Sequence, residues 1–391
     1  MTAVAIHPAS PPDFTLKGPP VRFQAPALPP LEAIAPYYRL AEDARWYANG
    51  GPCAQRLSER LAAAIGTGTE VALVSNATAG LLVALRAVVG EAVGDRRLVV
   101  LPSFTFVATA AAVHWAGFEP LFVDVDTRTW HLDLDAVDAA LDAREGEVAA
   151  VLACSTFGTP PSARDQARLD GLAVAHGIGV VYDSAAAFGG VDDEGRPAGR
   201  AGHAEVFSFH ATKPFAVGEG GCITTTVPEI AQRVRELSNF GFDAERNVAE
   251  VGINAKMSEL HAATGLAVLD KYEALLARRR LIAARYRDAL EPLGWRFQTG
   301  AERSTVQFVP VLAPSPATRA DALQLASENG IELRTYFDPP LHDMPAFAGA
   351  EHQGPLTGTS YLSERALSLP MADDLDRASF ERVVACCRYA S

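Results

Sequence analysis

Cysteine is scarce in this chain, and positive charge is outweighed. Five cysteines among 391 residues, an odd number in no framework spacing, build no disulfide scaffold and fit a reducing cytoplasm. Lys and Arg total 34 against 47 Asp and Glu, a formal net charge of −13. Such a chain on average repels nucleic acid and anionic membrane, while leaving room for a local basic pocket for a small anion. No apolar run reaches the length of a membrane span. The opening MTAVAIHPASPPDF lacks a basic segment followed by an apolar core, so no signal peptide is expected. Histidines and cysteines show no metal-ligand spacing. No G-x-G-x-x-G joins a strand to a helix at the first βα turn, and no phosphate-loop motif of nucleoside triphosphatases is present, which sets aside a dinucleotide-dependent dehydrogenase and an NTPase. Internal repeats are lacking too.

What the chain does have is core material, 49% hydrophobic residues, and a length that suggests a large domain with a smaller companion. Residues 1–40 are rich in proline (PPDF, GPP, ALPPLEAIAP) and are expected to form an extended N-terminal arm. Helical spacing starts near Cys53, in CAQRLSERLAAAIG. From Glu70 the pattern alternates. EVALVS, RLVVLP, EPLFVDV, EVAAVLACS and IGVVYD read as buried strands, and TAGLLVALRAVVG, VATAAAVHWAG, LDAVDAALDA and SARDQARLDGLAVAHG as the helices between them. EVFSF and CITTT are two further strands. This order predicts an α/β fold with a mostly parallel central sheet sandwiched by helices. A helical region from about Lys256 to Arg287 follows, then WRFQ, TVQFVPVLA, a helix DALQLASENG and a strand IELRTYF. The expected division is a large domain over 41–270 and a small α+β domain over 271–391, with the boundary inside the long helix.

Ligands of an open parallel sheet gather at the carboxyl ends of its strands, and three features fall there. SNATAG follows EVALVS and opens a helix, so Thr78 and its neighbouring amides sit at a positive helix terminus suited to phosphate; taken alone, it equally suits an ordinary N-cap. Asp183 ends IGVVYD and is either a cap or the partner of a cationic ligand group. Ser208 and Lys213 follow EVFSF, and the glycines of GEGG let backbone approach closely. A phosphate cradle, a strand-end carboxylate and a glycine-flanked lysine in that order match one cofactor, pyridoxal phosphate. Its aldehyde forms a Schiff base with a lysine, and its ring nitrogen is kept protonated by a carboxylate.

At these residues the sequence resembles the DegT/DnrJ/EryC1/StrS family of sugar aminotransferases, a branch of the type I pyridoxal-phosphate fold. The resemblance runs through YANGGPCAQRLSERLA, SNATAGLLVAL, LPSFTFVATAAAVHWAGFEPLFVDVDTRTWHLD, FSFHATKPFAVGEGG, VGINAKMSELHAATGLAVLDK, GIELRTYFDPPLH and ERALSLP, in that order. It implies that Lys213 makes the internal aldimine and Asp183 pairs with the pyridinium nitrogen. By the same resemblance the Ala77 backbone, Thr78 and Ser208 hold the phosphate, and Phe106 stacks on the ring. Asn254 is expected to reach the phosphate of the neighbouring subunit's cofactor, which implies a homodimer with shared active sites.

One position departs from the family. Three residues after Asp183, where relatives carry His, Gln or Glu on the cofactor side, DSAAAFGG has Ala186. Relatives that replace the lysine by His act as dehydratases; Lys213 argues against that here. The resemblance implies a cytoplasmic aminotransferase that takes the amino group of glutamate or glutamine and passes it to a nucleotide-linked keto-deoxysugar, most closely a dTDP-4-keto-6-deoxyhexose. The alternatives are an aminotransferase acting on a cyclitol ketone or another carbonyl compound, and a binding or regulatory protein that keeps the fold without turnover. Arg246, Lys256 and Arg334 are candidates for the nucleotide diphosphate, each also readable as solvated surface charge. His342 is a candidate for the sugar pocket or a packed structural histidine.

Overall fold

Residues whose parity alternates along a strand must face opposite sides of a sheet, and in this chain both sides are apolar. In the segment around Val206, Val206 enters one core cluster and Phe207 another; beside them Ile223 joins the first and Cys222 the second. A sheet apolar on both faces needs a helical layer on each. A computed structural model describes residues 16–391 and has that architecture. The start of the expected arm, with MTAVAIHPASPPDF, lies outside the described residues.

The elements run α1 (Leu31–Ala44), α2 (Pro52–Ile65), β1 (Glu70–Val74), α3 (Ala77–Val89), β2 (Leu98–Pro102), α4 (Val107–Trp115), β3 (Glu119–Val123), α5 (Leu134–Ala143), β4 (Val148–Cys154), α6 (Ala163–His176), β5 (Gly179–Asp183), β6 (Ala204–Ser208), β7 (Gly221–Thr225), α7 (Pro228–Leu237) and α8 (Glu259–Leu269). They continue as α9 (Tyr272–Leu290), β8 (Arg296–Phe297), β9 (Val309–Leu312), α10 (Pro316–Glu328), β10 (Glu351–His352), α11 (Thr357–Ser363), β11 (Ala366–Leu369) and α12 (Arg377–Ala390). Eight strands form the central sheet in the order β1-β7-β6-β5-β4-β2-β3-β10. Only β7 runs against its neighbours β1 and β6. The sheet is therefore mixed but mostly parallel, and β1, β2, β3, β4, β5 and β6 all end at one edge. A second, antiparallel sheet has the order β11-β9-β8.

Residues of α3, α4 and α7 bury against one face of the large sheet. Residues of α5 and α6 cover part of the other face, and α2 and α8 cover the remainder. Each fully buried Val, Leu or Phe contributes roughly 1.5–3 kcal/mol relative to exposure. Side-chain caps fix where several helices begin: Asn76 caps α3, Asp133 caps α5 and Ser162 caps α6. No helix among the described residues is long and apolar enough to cross a membrane.

The structure differs from the sequence expectation in four places. The expected extended arm is helical from Leu31, because burial of Ile34 and Ala41 outweighs the helical hydrogen bond that Pro36 removes. Upstream of it the arm is extended: Val21 forms a parallel bridge with Ile331, and Gln24 Nε2 donates to the carbonyl of Thr212 at 3.2 Å. The helical region expected over 256–287 is two helices, α8 and α9, separated at Asp270 and Lys271. The expected strand IELRTYF is reduced to isolated bridges at Ile331 and Arg334. Finally, β10 lies late in the chain yet extends the large sheet beside β3, a pairing with no local signal.

Candidate active site

The register of β7 assembles the first part of the site. Gly221 lies opposite Val74, the last residue of β1, and on its other side opposite Ser208, the last residue of β6. A Cβ at Gly221 would stand 2.5 Å from the carbonyl oxygen of Phe207 and 3.2 Å from the amide nitrogen of Ala77. Only glycine lets the start of α3 and the end of β6 come this close. Asn76 Oδ1 takes the amide of Ala79 at 2.8 Å, and the Asn76 carbonyl takes that of Gly80 at 3.0 Å. The amides of Ala77 and Thr78, at the first turn, have no carbonyl behind them in the helix. Thr78 is exposed. Ser208 Oγ accepts from the amide of His210 at 3.3 Å, which leaves its own proton free to donate. Two helix-start amides and two hydroxyls form a donor set that fits a phosphate.

The second part sits at the ends of β5 and β4. Asp183 is buried, 8% exposed. Its Oδ2 accepts from the hydroxyl of Thr109 at 2.7 Å and its Oδ1 from the amide of Ala185 at 3.2 Å. Thr109 Oγ1 lies 3.0 Å from Thr105 Oγ1, which lies 3.3 Å from the sulfur of Cys154. Burial pushes the Asp183 carboxyl above its ordinary range; the Thr109 hydroxyl, the Ala185 amide and the Lys213 charge pull the other way. A carboxylate held like this, with lone pairs to spare, suits a cationic N–H donor such as a protonated ring nitrogen. Phe106 stands one residue beyond Thr105, caps α4 with its backbone, and is 56% exposed. Its ring is thus available as a flat apolar face.

Lys213 is partly buried in the turn between β6 and β7. Burial pushes its amine down to about 8, against the Asp183 charge, which acts to raise it. Its Nζ donates to Gln307 Oε1 at 3.0 Å. A recessed amine that loses its proton near pH 8 can act as a nucleophile toward an aldehyde. The donor set at α3, the buried carboxylate and this amine fit the three functional groups of pyridoxal phosphate.

The remaining candidates are spread around this centre. Ala186 follows in the turn after Asp183 and presents a methyl group; its carbonyl accepts from the Thr305 hydroxyl, so Thr305 is spent on backbone. Asn254 is exposed and its backbone bridges Asn239; the next residue, Ala255, takes the amide of Ser75 at 2.6 Å, so this segment lies against the start of α3. Lys256 is engaged internally: its Nζ donates to Asn239 Oδ1 at 2.8 Å and stands 4.7 Å from the centre of the Phe240 ring. Partial burial lowers its pKa. Arg246 is exposed, with its guanidinium 5.1 Å from the Phe242 ring centre. Arg334 belongs to the C-terminal part of the chain, over the Phe23 ring at 5.5 Å and 3.6 Å from Glu332. His342 is tied to the end of β2: its Nδ1 is 2.7 Å from Ser103 Oγ, which also accepts the His342 amide at 3.0 Å.

Two contacts at the centre went unread in the sequence. Thr109 had a faint signal, since Thr105 and Thr109 are spaced four apart around an apolar helix start. Gln307 had another, a lone polar residue in the apolar run VQFVPVL. Aromatic rings close the wall between the two parts of the chain: Phe157 stacks on Phe337 with centroids 5.0 Å apart, and Phe104 meets Phe337 edge-on at 5.3 Å. Asp138, Asp142 and His176 could bring three metal-ligand atoms within 4.8 Å of one another. They lie on α5 and α6, and His176 ends α6 two residues short of the amino end of β5, opposite the edge that carries Asp183.

The chain resembles known proteins over most of its length. Protein Rv3402c of Mycobacterium tuberculosis is 34% identical over 377 residues, which are 95% of this chain and 90% of that protein. The dTDP-4-amino-4,6-dideoxy-D-glucose transaminase of Shigella dysenteriae is 30% identical over 374 residues, covering 94% of this chain and 98% of its own. Among solved structures, DesI in the presence of its TDP-sugar product superposes with a TM-score of 0.85 at 34% identity, covering 95% of this chain and 92% of DesI. The profile of the DegT/DnrJ/EryC1/StrS aminotransferase family matches residues 32–388, and the chain belongs to that family of pyridoxal-phosphate-dependent aminotransferases.

Proposed function

We propose that this protein transfers the amino group of glutamate or glutamine to a nucleotide-linked keto-deoxysugar, specifically a dTDP-4-keto-6-deoxyhexose. The observation that carries the reaction type is the recessed Lys213 amine at the same sheet edge as the buried Asp183 carboxylate, within a member of an aminotransferase family. Support for the sugar comes from the Shigella transaminase and from DesI, whose names carry dTDP- and TDP-linked sugars.

Ala77, Thr78 and Ser208 would hold the phosphate, Asp183 the ring nitrogen, Phe106 the ring face and Lys213 the aldehyde carbon. When bound, pyridoxal phosphate supplies an electron sink for negative charge at the carbon bearing the amino group. The chain's own work is proton handling and positioning. Lys213 Nζ, neutral in a useful fraction near pH 8, takes the proton from Cα of the donor amino acid and later returns one to the sugar carbon. Asp183, fixed by Thr109 and Ala185, keeps the facing nitrogen protonated. Ala186 offers no polar side chain, so substrate orientation on that side falls to other groups. His342, anchored by Ser103, is proposed at the sugar pocket, and Arg246, Lys256 and Arg334 at the diphosphate.

The working unit is proposed to be a homodimer in which Asn254 of the partner subunit reaches the phosphate. Exposed Trp46, Tyr47, Phe240, Val251 and Leu260, with Phe106 itself, supply apolar surface for such an interface. Five free and buried cysteines suit a cytoplasmic location.

The test is a two-stage assay. Purified protein loaded with pyridoxal phosphate should be yellow, and glutamate or glutamine should bleach it. After removal of free donor, a dTDP-4-keto-6-deoxyhexose should restore the colour and emerge as the amino sugar. Restoration by keto-cyclitols alone would overturn the sugar assignment; protein that no amino acid bleaches would overturn the aminotransferase reading.

A further inference from the structure

We propose that Gln307 is the dock of the Lys213 amine, the group that holds and aims Nζ whenever it is not covalently engaged. This rests on the reading of Lys213 as the reacting amine. The carboxamide oxygen of Gln307 accepts from Nζ at 3.0 Å. Gln307 is 8% exposed, so water competes little for that oxygen. A neutral carbonyl accepts from an ammonium or from an amine. It can therefore orient Nζ without adding the negative charge that would keep the lysine protonated. Which end of the carboxamide faces the amine is fixed locally: Gln307 Nε2 points to Thr212 Oγ1 at 3.4 Å, and that hydroxyl is 2.9 Å from His210 Nδ1.

The backbone that carries Gln307 is held with unusual insistence. Val306, β-branched, has φ of +56°, a conformation that costs of order 1–3 kcal/mol and persists only where the surroundings impose it. Here they do. Ser304 Oγ donates to the Phe157 carbonyl at 3.2 Å and accepts the Val306 amide at 3.1 Å. The Thr305 hydroxyl donates to the carbonyl of Ala186, three residues past Asp183. Arg279, on α9, sends Nη1 to the carbonyls of Val306 at 3.0 Å and Gln307 at 3.3 Å, and its Nε lies 2.7 Å from Asp373. The left-handed turn at Val306 thus delivers one side chain from the C-terminal part of the chain to the lysine. The same short segment is stitched to the turn that follows the ring-nitrogen carboxylate. An amine released from the cofactor must wait near it in a fixed place, and this segment defines that place.

Asp183 from β5 is the charge that acts on the amine, Arg279 from α9 and its partner Asp373 line the same small pocket as Lys213, and the His210 and Glu219 pair lies on the lysine's own loop. The test therefore changes Gln307 alone. Full-length protein is stripped of bound carbonyl compounds with hydroxylamine, and acetylation of Lys213 by acetic anhydride is followed against pH by mass spectrometry. Gln307→Glu should raise the midpoint by about one pH unit, since an opposite charge now faces the amine. Gln307→Leu, similar in shape but without an acceptor, should lower it. In pyridoxal-phosphate-loaded protein, Gln307→Leu should slow glutamate-driven bleaching about ten-fold, and Gln307→Glu should move the acid limb of the rate profile upward with the labelling midpoint. A midpoint unmoved in either variant overturns the dock. Failure of every amino acid to bleach the wild-type protein sinks the aminotransferase reading instead, while the labelling arm still decides the place of Gln307.

Discussion

Thr109 gives its hydroxyl proton to Asp183 Oδ2 at 2.7 Å, across 74 residues of chain. The bond lies between the first turn of α4 and the end of β5, and it keeps one oxygen of a buried carboxylate occupied while the other takes the Ala185 amide. A hydrogen bond to a charged acceptor in such a site is worth about 1.5–3 kcal/mol. Thr109→Val keeps the shape and removes the donor. We expect the affinity for pyridoxal phosphate to fall roughly ten- to hundred-fold, read by quenching of intrinsic fluorescence. Unchanged affinity would show that Thr109 merely fills space.

Lys213 predicts a stability change with a definite pH sign. Its folded-state pKa is lowered to about 8 from 10.5 by burial. The unfolded chain therefore binds the extra proton more readily, and stability rises with pH between those values and is reduced by the full amount below about 8. Lys213→Met abolishes the reacting amine and should eliminate both amino transfer and borohydride fixation of the cofactor. In cofactor-free protein the same change should raise the melting temperature at pH 7 by a few degrees, and the gain should shrink as the pH approaches 10. A gain that grows with pH would contradict the burial argument.

At Gly221 the limit is steric. A Cβ there meets the Phe207 carbonyl at 2.5 Å, and neither partner is a flexible side-chain end. Gly221→Ala should destabilise by about 1–3 kcal/mol through overpacking. Because the same glycine brings Ala77 and Ser208 together, the variant should lose affinity for pyridoxal phosphate but much less for pyridoxal, which has no phosphate. Equal losses for both ligands would remove the cradle from the explanation.

Arg279 supports the C-terminal side of the site. It is buried, pairs with the more exposed Asp373, and holds the carbonyls of Val306 and Gln307. Arg279→Met leaves both carbonyls without that donor. We expect a loss of about 3 kcal/mol, seen as a lower urea midpoint at unchanged slope. Asp373→Asn should cost less, because water can replace part of what Asp373 provides.

Much of the centre was readable in the chain because its signals are local. Asp183 ends an apolar run, and Lys213 follows another and precedes GEGG. Strand ends in a parallel sheet share one edge, so their order along the sequence places them together. The helix break at Asp270 was hidden because helical spacing continues on both sides of it. Helix α1 was hidden by its own prolines: the pattern of Pro30 and Pro36 argues for extension, and only the burial of Ile34 and Ala41 reverses that.

The alternation of strands and helices from β1 to β7, the edge at which the parallel strands end, and the placing of Asp183 and Lys213 just past two of them were set by the sequence alone, through periodicity and turn chemistry that act over a few residues. The partnership of Gln307 with Lys213, the wedging of Gly221 between Val74 and Ser208, and the addition of β10 to the large sheet were decided by the tertiary structure. Those contacts join segments tens to hundreds of residues apart. Their geometry follows from how whole layers pack, which no local pattern encodes.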